Sequence, residues 1–499
     1  MGCTRTVERA LGEGCSVAWL TKSRFLSGLQ CAKRLWYEVH EPLETPAGDS
    51  MPLINGRAVD RLAQTLQPGP VISREGGLPA ALEETQALFA RGAPSVLYQG
   101  AFRDGPLAAI VDILRVRDDA LELIEMKAST AVKPEHLPDV GFQALVLEQA
   151  RIPVARVHIG HVNNQFVLRS CNDYTGLLTE ADVTEQVRAM LPAIRKQATE
   201  SVGTIGHASA PDVPMGAHCE APYPCPFMDR CAGKSADGPK FPVSILPRGG
   251  KLIAELASEG YEDLRDVPAE RLRSKEHKRV HAATVSGQAS FDVAATTGLR
   301  KLAPPFAYLD FETMTSAVPE IIGTRPYEQC PFQWSLHIES PDGTLRHAEY
   351  LASESFGDLQ KLASALLAAL PDAGPVFVYN QTFEKGVLQL LTRLVPRLAS
   401  SLHEVIDRLV DLLPITKAAY YHPDMLGSWS IKKVLPTVNS SLGYESFKVQ
   451  DGTAAQLAFL ELRNPETSSG RREELTKGLI AYCERDTYAM VVLRRFLCS

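Results

Sequence analysis

Phe306-Ala307-Tyr308-Leu309-Asp310-Phe311-Glu312-Thr313 is an apolar strand-like run that ends by delivering two carboxylates, Asp310 and Glu312. Side chains two apart on a strand leave the same face, so both acids point one way. Pro375-Val376-Phe377-Val378-Tyr379 reads as a second buried strand leading into Asn380-Gln381-Thr382-Phe383-Glu384. Tyr482-Cys483-Glu484-Arg485-Asp486 falls in a predicted C-terminal helix, where Tyr482 and Asp486, four residues apart, share a face. Asp310, Glu312, Glu384 and Asp486 therefore come from three distant segments. Their convergence suits two divalent cations, Mg2+ or Mn2+, held about 4 Å apart for in-line phosphodiester cleavage. The plainer reading makes Asp310 and Glu312 solvated caps. Asp411 reads as a helix cap before a ligand, and His422, next to Pro423, as a structural loop histidine.

A second set of charged residues stands nearer the N-terminus. In Ile124-Glu125-Met126-Lys127 an acid and a lysine share one strand face, and Asp112 is placed at the end of an upstream strand, Ala108-Ala109-Ile110-Val111. Two carboxylates can hold a metal, and the ammonium can stabilise charge developing at phosphorus. Taken alone, such charges read more readily as a solvated strand face. Ten cysteines are unevenly spread: Cys219, Cys225 and Cys231 crowd into His218-Cys219-Glu220-Ala221-Pro222-Tyr223-Pro224-Cys225-Pro226-Phe227-Met228-Asp229-Arg230-Cys231. That clustering points to a metal site.

Asp112, Glu125 and Lys127, with Gln143 in Gly141-Phe142-Gln143-Ala144-Leu145, resemble the PD-(D/E)XK nucleases of the RecB type, in which a glutamine on the next helix supports the site. Leu147 stands where that family usually carries tyrosine. One early cysteine, Cys31 in Leu29-Gln30-Cys31-Ala32-Lys33-Arg34-Leu35-Trp36, and three late ones resemble the iron–sulfur members of that group. The resemblance implies a 4Fe-4S cluster on Cys31, Cys219, Cys225 and Cys231 that ties the domain's ends together. Zinc is the alternative on these ligands.

The C-terminal set resembles the DEDD exonucleases: Asp310 and Glu312 as first motif, Glu384 as second, Tyr482 and Asp486 as third. Tyr482 makes it the DEDDy variant and implies a role in positioning the attacking water. Glu384 is one methylene longer than the aspartate usual there, a departure that shifts the second cation or leaves its place to Asp411. Arg408-Leu409-Val410-Asp411-Leu412, Tyr420-Tyr421-His422-Pro423 and Gly427-Ser428-Trp429-Ser430-Ile431-Lys432-Lys433-Val434-Leu435-Pro436 resemble an uncharacterised bacterial family whose RNase H-like domain follows a RecB-type one.

The expected architecture is α/β: a restriction-endonuclease-like domain with an iron–sulfur staple over 20–232, a helical linker over 241–300 and an RNase H-like domain over 306–497. Gly233 to Lys240 reads as the connecting stretch. The chain of 499 residues, 45% hydrophobic and 22% charged, is long enough for two or three domains. A net charge of −7 argues against simple coating of nucleic acid but suits metal sites built from carboxylates. No apolar run is long enough to span a bilayer and no signal-peptide core is evident, so a cytoplasmic location is expected. Met1-Gly2-Cys3-Thr4-Arg5-Thr6 fits a myristoylation pattern only loosely.

The function these readings imply is a DNA exonuclease acting on single strands or ends, in repair, recombination or defence, with a helicase as conceivable partner. The alternatives are a nucleic-acid-binding scaffold with degenerate sites and an RNA-processing nuclease. Arg325-Pro326-Tyr327-Glu328-Gln329 and Phe332-Gln333-Trp334 offer either base stacking or core packing.

Overall fold

The computed structural model describes residues 18–44, 48–232, 238–353, 356–444 and 447–499. The Met1 to Thr6 pattern and residues 233–237 of the connecting stretch lie outside them. The chain is mixed α/β and forms two compact units: residues 1–236 with 317–326, and residues 237–316 with 327–499. The helical stretch 241–300 falls in the second unit.

In the first unit, helices α1 (Lys22–Gln30), α2 (Ala32–His40), α3 (Met51–Leu66) and α4 (Gly77–Ala90) precede strands β1 (Val96–Asp104), β2 (Leu107–Arg117) and β3 (Ala120–Lys127). Helix α5 (His136–Gln149) then leads to β4 (Val154–Val162), β5 (Leu178–Asp182) and α6 (Thr184–Ile205). The sheet order is β1-β2-β3-β4-β5, with only β3 and β4 parallel. A parallel neighbour needs a crossover, and α5 is that crossover. Val140, Phe142 and Val146 are buried along with Leu145 and Leu147, so α5 is apolar on nearly all sides, as a core helix must be. Leu147 belongs to this core. Asp112 does not end its strand: the ladder continues through Ile113↔Ile124 and Leu114↔Leu123, and β2 runs on to Arg117.

In the second unit, α7 (Gly250–Ser258) and α8 (Lys275–Ser286) precede β6 (Phe306–Met314), β7 (Cys330–Glu339) and β8 (Leu345–Leu351). After α9 (Leu359–Ala369) come β9 (Val376–Val378), α10 (Gln381–Leu394), α11 (Ala399–Asp407), β10 (Leu409–Asp411) and α12 (Leu412–Ala419). Helices α13 (Ile431–Val438), α14 (Gly452–Arg463) and α15 (Ser469–Cys498) complete it. The sheet order is β10-β9-β6-β7-β8, antiparallel from β6 to β8 and parallel from β6 to β10. Asp310 and Glu312 lie within β6 rather than beyond it, because pairing with Ser335 and Gln333 carries the ladder on to Met314.

Phe332 and Trp334 pack into the core instead of forming a stacking platform. Phe332 lies parallel to Phe459 of α14 at a centroid distance of 4.0 Å, and the Trp334 indole donates to the Leu362 carbonyl at 3.2 Å. Helix α15 is set on the sheet by polar contacts as well as apolar ones. The Gln333 amide donates to the Leu479 carbonyl at 2.9 Å, and the Ser335 and Thr487 hydroxyls meet at 2.8 Å. These contacts turn Tyr482, Cys483 and Asp486 toward β6.

Gly427 has φ +75°, and a Cβ there would lie 1.7 Å from the Ile245 carbonyl oxygen. Gly427→Ala combines a forbidden contact with a disfavoured backbone region, so it is expected to destabilise the second unit by about 2 kcal/mol or more. A urea melt of wild type and variant measures it. No helix among the described residues is long and apolar enough to cross a membrane.

Candidate functional site

Asp310, Glu312, Glu384, Tyr482 and Asp486 come together in the second unit. Asp310 and Glu312 leave one face of β6, Glu384 occupies the first turn of α10, and Tyr482 and Asp486 descend from α15. Burial, then the charge of Asp486, pushes the Asp310 carboxyl well above the usual carboxylate range. Burial with Asp310 and Asp486 does the same to Glu312. Glu384 rises to about 9 through burial and Asp310, and one of its oxygens, Oε2, is buried without a hydrogen-bond partner. Asp486 rises only to about 6, because Tyr444 and Lys432 offset its burial.

Three residues of this site carried no sequence signal. The Tyr444 hydroxyl donates to Asp486 Oδ1 at 2.5 Å, and Lys432 Nζ donates to the Tyr482 hydroxyl at 2.9 Å and to the Gln450 carbonyl. Cys483 Sγ lies 3.5 Å from Asp310 Oδ2. The ligand atoms of Asp310, Glu312 and Cys483 all fall within 4.8 Å of one another, close enough for one cation. Asp411 is a cap: its Oδ1 accepts from Leu413 N at 2.9 Å and Asn380 N at 3.0 Å, and its Oδ2 from Gln381 N at 2.9 Å. With its oxygens committed to the starts of α10 and α12, it is poorly placed to replace Glu384. His422 likewise accepts from Asp424 N at 3.1 Å, within its own turn.

In the first unit Asp112, Glu125, Lys127 and Gln143 also meet. Glu125 Oε1 is 2.6 Å from Lys127 Nζ, and Glu125 Oε2 accepts from the Gln143 amide at 2.7 Å. Asp112 Oδ2 accepts from Met126 N at 2.9 Å. Two further residues belong to the cluster. Lys22 Nζ is 2.6 Å from Glu125 Oε1 and 3.3 Å from Asp139 Oδ1, and Lys127 also pairs with Asp139. Asp139 sits four residues before Gln143 on α5, the spacing that shares a helix face, so it was findable from sequence. Lys22 was not. Burial works to raise Glu125, but Lys22 and Lys127 overcome it and hold this carboxyl below its usual range. Burial and Glu125 together raise Asp112 well above its own, and they also raise Asp60 of α3.

The four cysteines singled out by sequence line one small pocket with Lys33, Arg34 and Phe227, and all four are free thiols. Cys31 joins α1 to α2: its N–H donates to the Ser27 carbonyl at 2.8 Å and its carbonyl accepts from Leu35 N at 3.1 Å. Gln30 ties this corner to the late loop by donating to the His218 carbonyl at 2.7 Å and the Tyr223 carbonyl at 2.8 Å.

Residues 307–430 match a family model described as "Domain of unknown function (DUF2779)". The chain is also similar to uncharacterised bacterial proteins. One is the uncharacterized protein MG366 homolog of Mycoplasma pneumoniae, 27% identical over 224 residues, which are 40% of this chain and 33% of that protein. A second is the uncharacterized protein MG366 of Mycoplasma genitalium, 28% identical over 216 residues, 40% of this chain and 32% of the relative. A third is the uncharacterized protein UU173 of Ureaplasma parvum, 24% identical over 227 residues, 41% and 33% respectively. The match thus spans about a third of the length of these relatives.

Proposed function

We propose that the chain is a metal-dependent nuclease with two active sites, a PD-(D/E)XK-type site in the first unit and a DEDDy-type site in the second, acting on single-stranded DNA or DNA ends. The observation that carries this reading is the second site. Four carboxylates from β6, α10 and α15 gather here, and Lys432 is an ammonium that acts on three of them, Asp310, Glu312 and Asp486. Such a concentration of like charge is unfavourable unless cations complete it. The sheet order β8-β7-β6-β9-β10, three antiparallel strands followed by two parallel ones, supports the RNase H-like reading. In the first unit, β1 to β3 in antiparallel order and the parallel β3-α5-β4 crossover support the restriction-endonuclease-like one.

Bound divalent ions would supply Lewis-acid stabilisation at the phosphodiester and activate water. Asp310, Glu312, Glu384 and Asp486 would hold them in the second unit, Asp112 and Glu125 in the first. Tyr482 orients the attacking water, and Lys432 fixes the direction of its hydroxyl. Lys127 places a positive charge where negative charge develops on the phosphate, and Gln143 holds Glu125 against rotation. The four cysteines would carry a 4Fe-4S cluster, with Lys33 and Arg34 beside it to offset its negative charge.

The test is digestion of 5′- and 3′-labelled single-stranded DNA with Mn2+. Lys127→Ala is expected to remove the first unit's cleavage and Asp310→Ala the second's, each leaving the other pattern intact. If neither variant differs from wild type while DNA binding persists, the protein is a scaffold and this function is wrong.

A further inference from the structure

Two ammonium groups share one carboxylate oxygen in the first unit: Lys22 Nζ and Lys127 Nζ each lie 2.6 Å from Glu125 Oε1, and both reach Asp139. They repel each other, and the buried acids hold them together. They are not equivalent. Lys127 extends from the middle of the sheet, on a strand paired on both sides. Lys22 stands at the first turn of α1 with its side chain 29% exposed, on a flexible four-carbon stem with three donors.

The backbone beneath Lys22 is fixed by close packing. Phe25 stacks on Phe142 of α5 at 4.7 Å. Gly28 brings α1 so near α6 that a Cβ would lie 2.7 Å from Ser201 Oγ. Cys31 ends the same helix. Lys22 therefore carries its charge, 29% exposed, on a rigid mount.

Asp112 completes the argument. Among the described residues no lysine or arginine pairs with it; it accepts from Met126 N at 2.9 Å and from the Gln99 amide at 3.5 Å. The cluster thus has an acid without a cation next to an acid with two. We propose that Lys22 is an exchangeable counter-ion, resting on Glu125 in the cation-free protein and moving onto the phosphate oxygens of a bound strand when Glu125 is taken into metal coordination. This rests on the nuclease reading of the first unit. The ammonium needs somewhere to go, so a strand in the site makes metal coordination easier, and by linkage metal tightens the strand equally.

The experiment is a Mn2+ titration followed by electron paramagnetic resonance on full-length, cluster-loaded protein carrying Asp310→Asn and Asp486→Asn, which confines the reading to the first unit. A nuclease-resistant phosphorothioate oligothymidylate supplies the strand. In that background the oligonucleotide is expected to tighten Mn2+ by about 10-fold, within the usual span of coupling between sites. Lys22→Met should bind Mn2+ about 10-fold tighter without the strand and lose most of the strand's effect, whereas Lys22→Arg should keep the coupling. Thermal melts of both variants check that the unit is folded.

Mn2+ affinity that Lys22→Met leaves unchanged or weakens, or coupling that survives it, overturns the proposal alone. Absence in the background protein of any Mn2+ signal that Glu125→Gln removes overturns the nuclease reading of the first unit, and the proposal with it.

Discussion

Asp310→Asn is expected to lower the exonuclease activity proposed for the second unit by about 10³-fold or more while raising the thermal stability of the cation-free protein. The two effects have one cause. Asp310 lies among Glu312, Glu384 and Asp486; burial raises all four, and neighbouring carboxylates add to the rise of Asp310, Glu312 and Glu384. An amide of the same shape removes one charge from the group and with it a point of cation attachment.

The pH dependence follows in sign. These carboxyls hold protons more tightly folded than unfolded, so the stability they contribute is full below the unfolded range near pH 4 and is lost as pH rises through the folded values. For Asp486 that loss runs from 3.8 to about 6 and is on the order of 3 kcal/mol; for Glu384 it continues to about 9. Glu125, held low by its lysines, acts in the opposite sense but only below the usual carboxylate range. Cation-free protein should therefore melt lower at pH 8.5 than at pH 5.5. Excess Mg2+ should erase the difference by binding the ionised form, with about 2.7 kcal/mol gained at a hundredfold excess over Kd. Asp310→Asn should flatten the cation-free pH dependence. A wild-type melt indifferent to both pH and Mg2+ would falsify the shared-cation account of these acids.

What could be read from the sequence was whatever depends on local spacing. Asp310 with Glu312, Glu125 with Lys127, and Tyr482 with Asp486 obey strand or helix periods, and the structure brings each pair to one cluster. Strand ends were less legible. Asp112 and Asp310 stand within strands because pairing continues on the partner strand, which no single run of sequence contains. Glu384 was read as following a strand, yet it owes its position to the first turn of α10, whose start Asp411 caps from β10. Lys22, Lys432 and Tyr444 were invisible for another reason. Each meets its partner across 103, 50 or 42 residues, and each sits in a stretch whose own periodicity assigns it no face. Asp139 is the one omission that the i,i+4 rule could have prevented.

Cys31→Ala is expected to unfold the first unit at ordinary temperature, a larger effect than any other single change considered. Cys31 and Cys219 are 188 residues apart, and a cross-link closing a loop of that length is worth about 5 kcal/mol in chain entropy. A domain's net stability is only about 5–15 kcal/mol, so the proposed staple would account for a large part of what holds the unit together. The remaining contacts at this corner are Gln30 on the late loop, Phe227 stacked on Tyr37 at 5.3 Å and Arg230 over the same ring at 4.8 Å. Anaerobically purified wild type should be brown with broad absorption near about 400 nm, and Cys31→Ala should be colourless with its first thermal transition absent. Cys31→Ser keeps a weaker donor in the same geometry and should fall between them. Cys171→Ala, at an exposed thiol that does not line the pocket, should match wild type in colour and melt. A colourless wild type containing one zinc per chain rejects the iron–sulfur assignment but leaves the staple argument standing; a Cys31→Ala protein that melts like wild type rejects both.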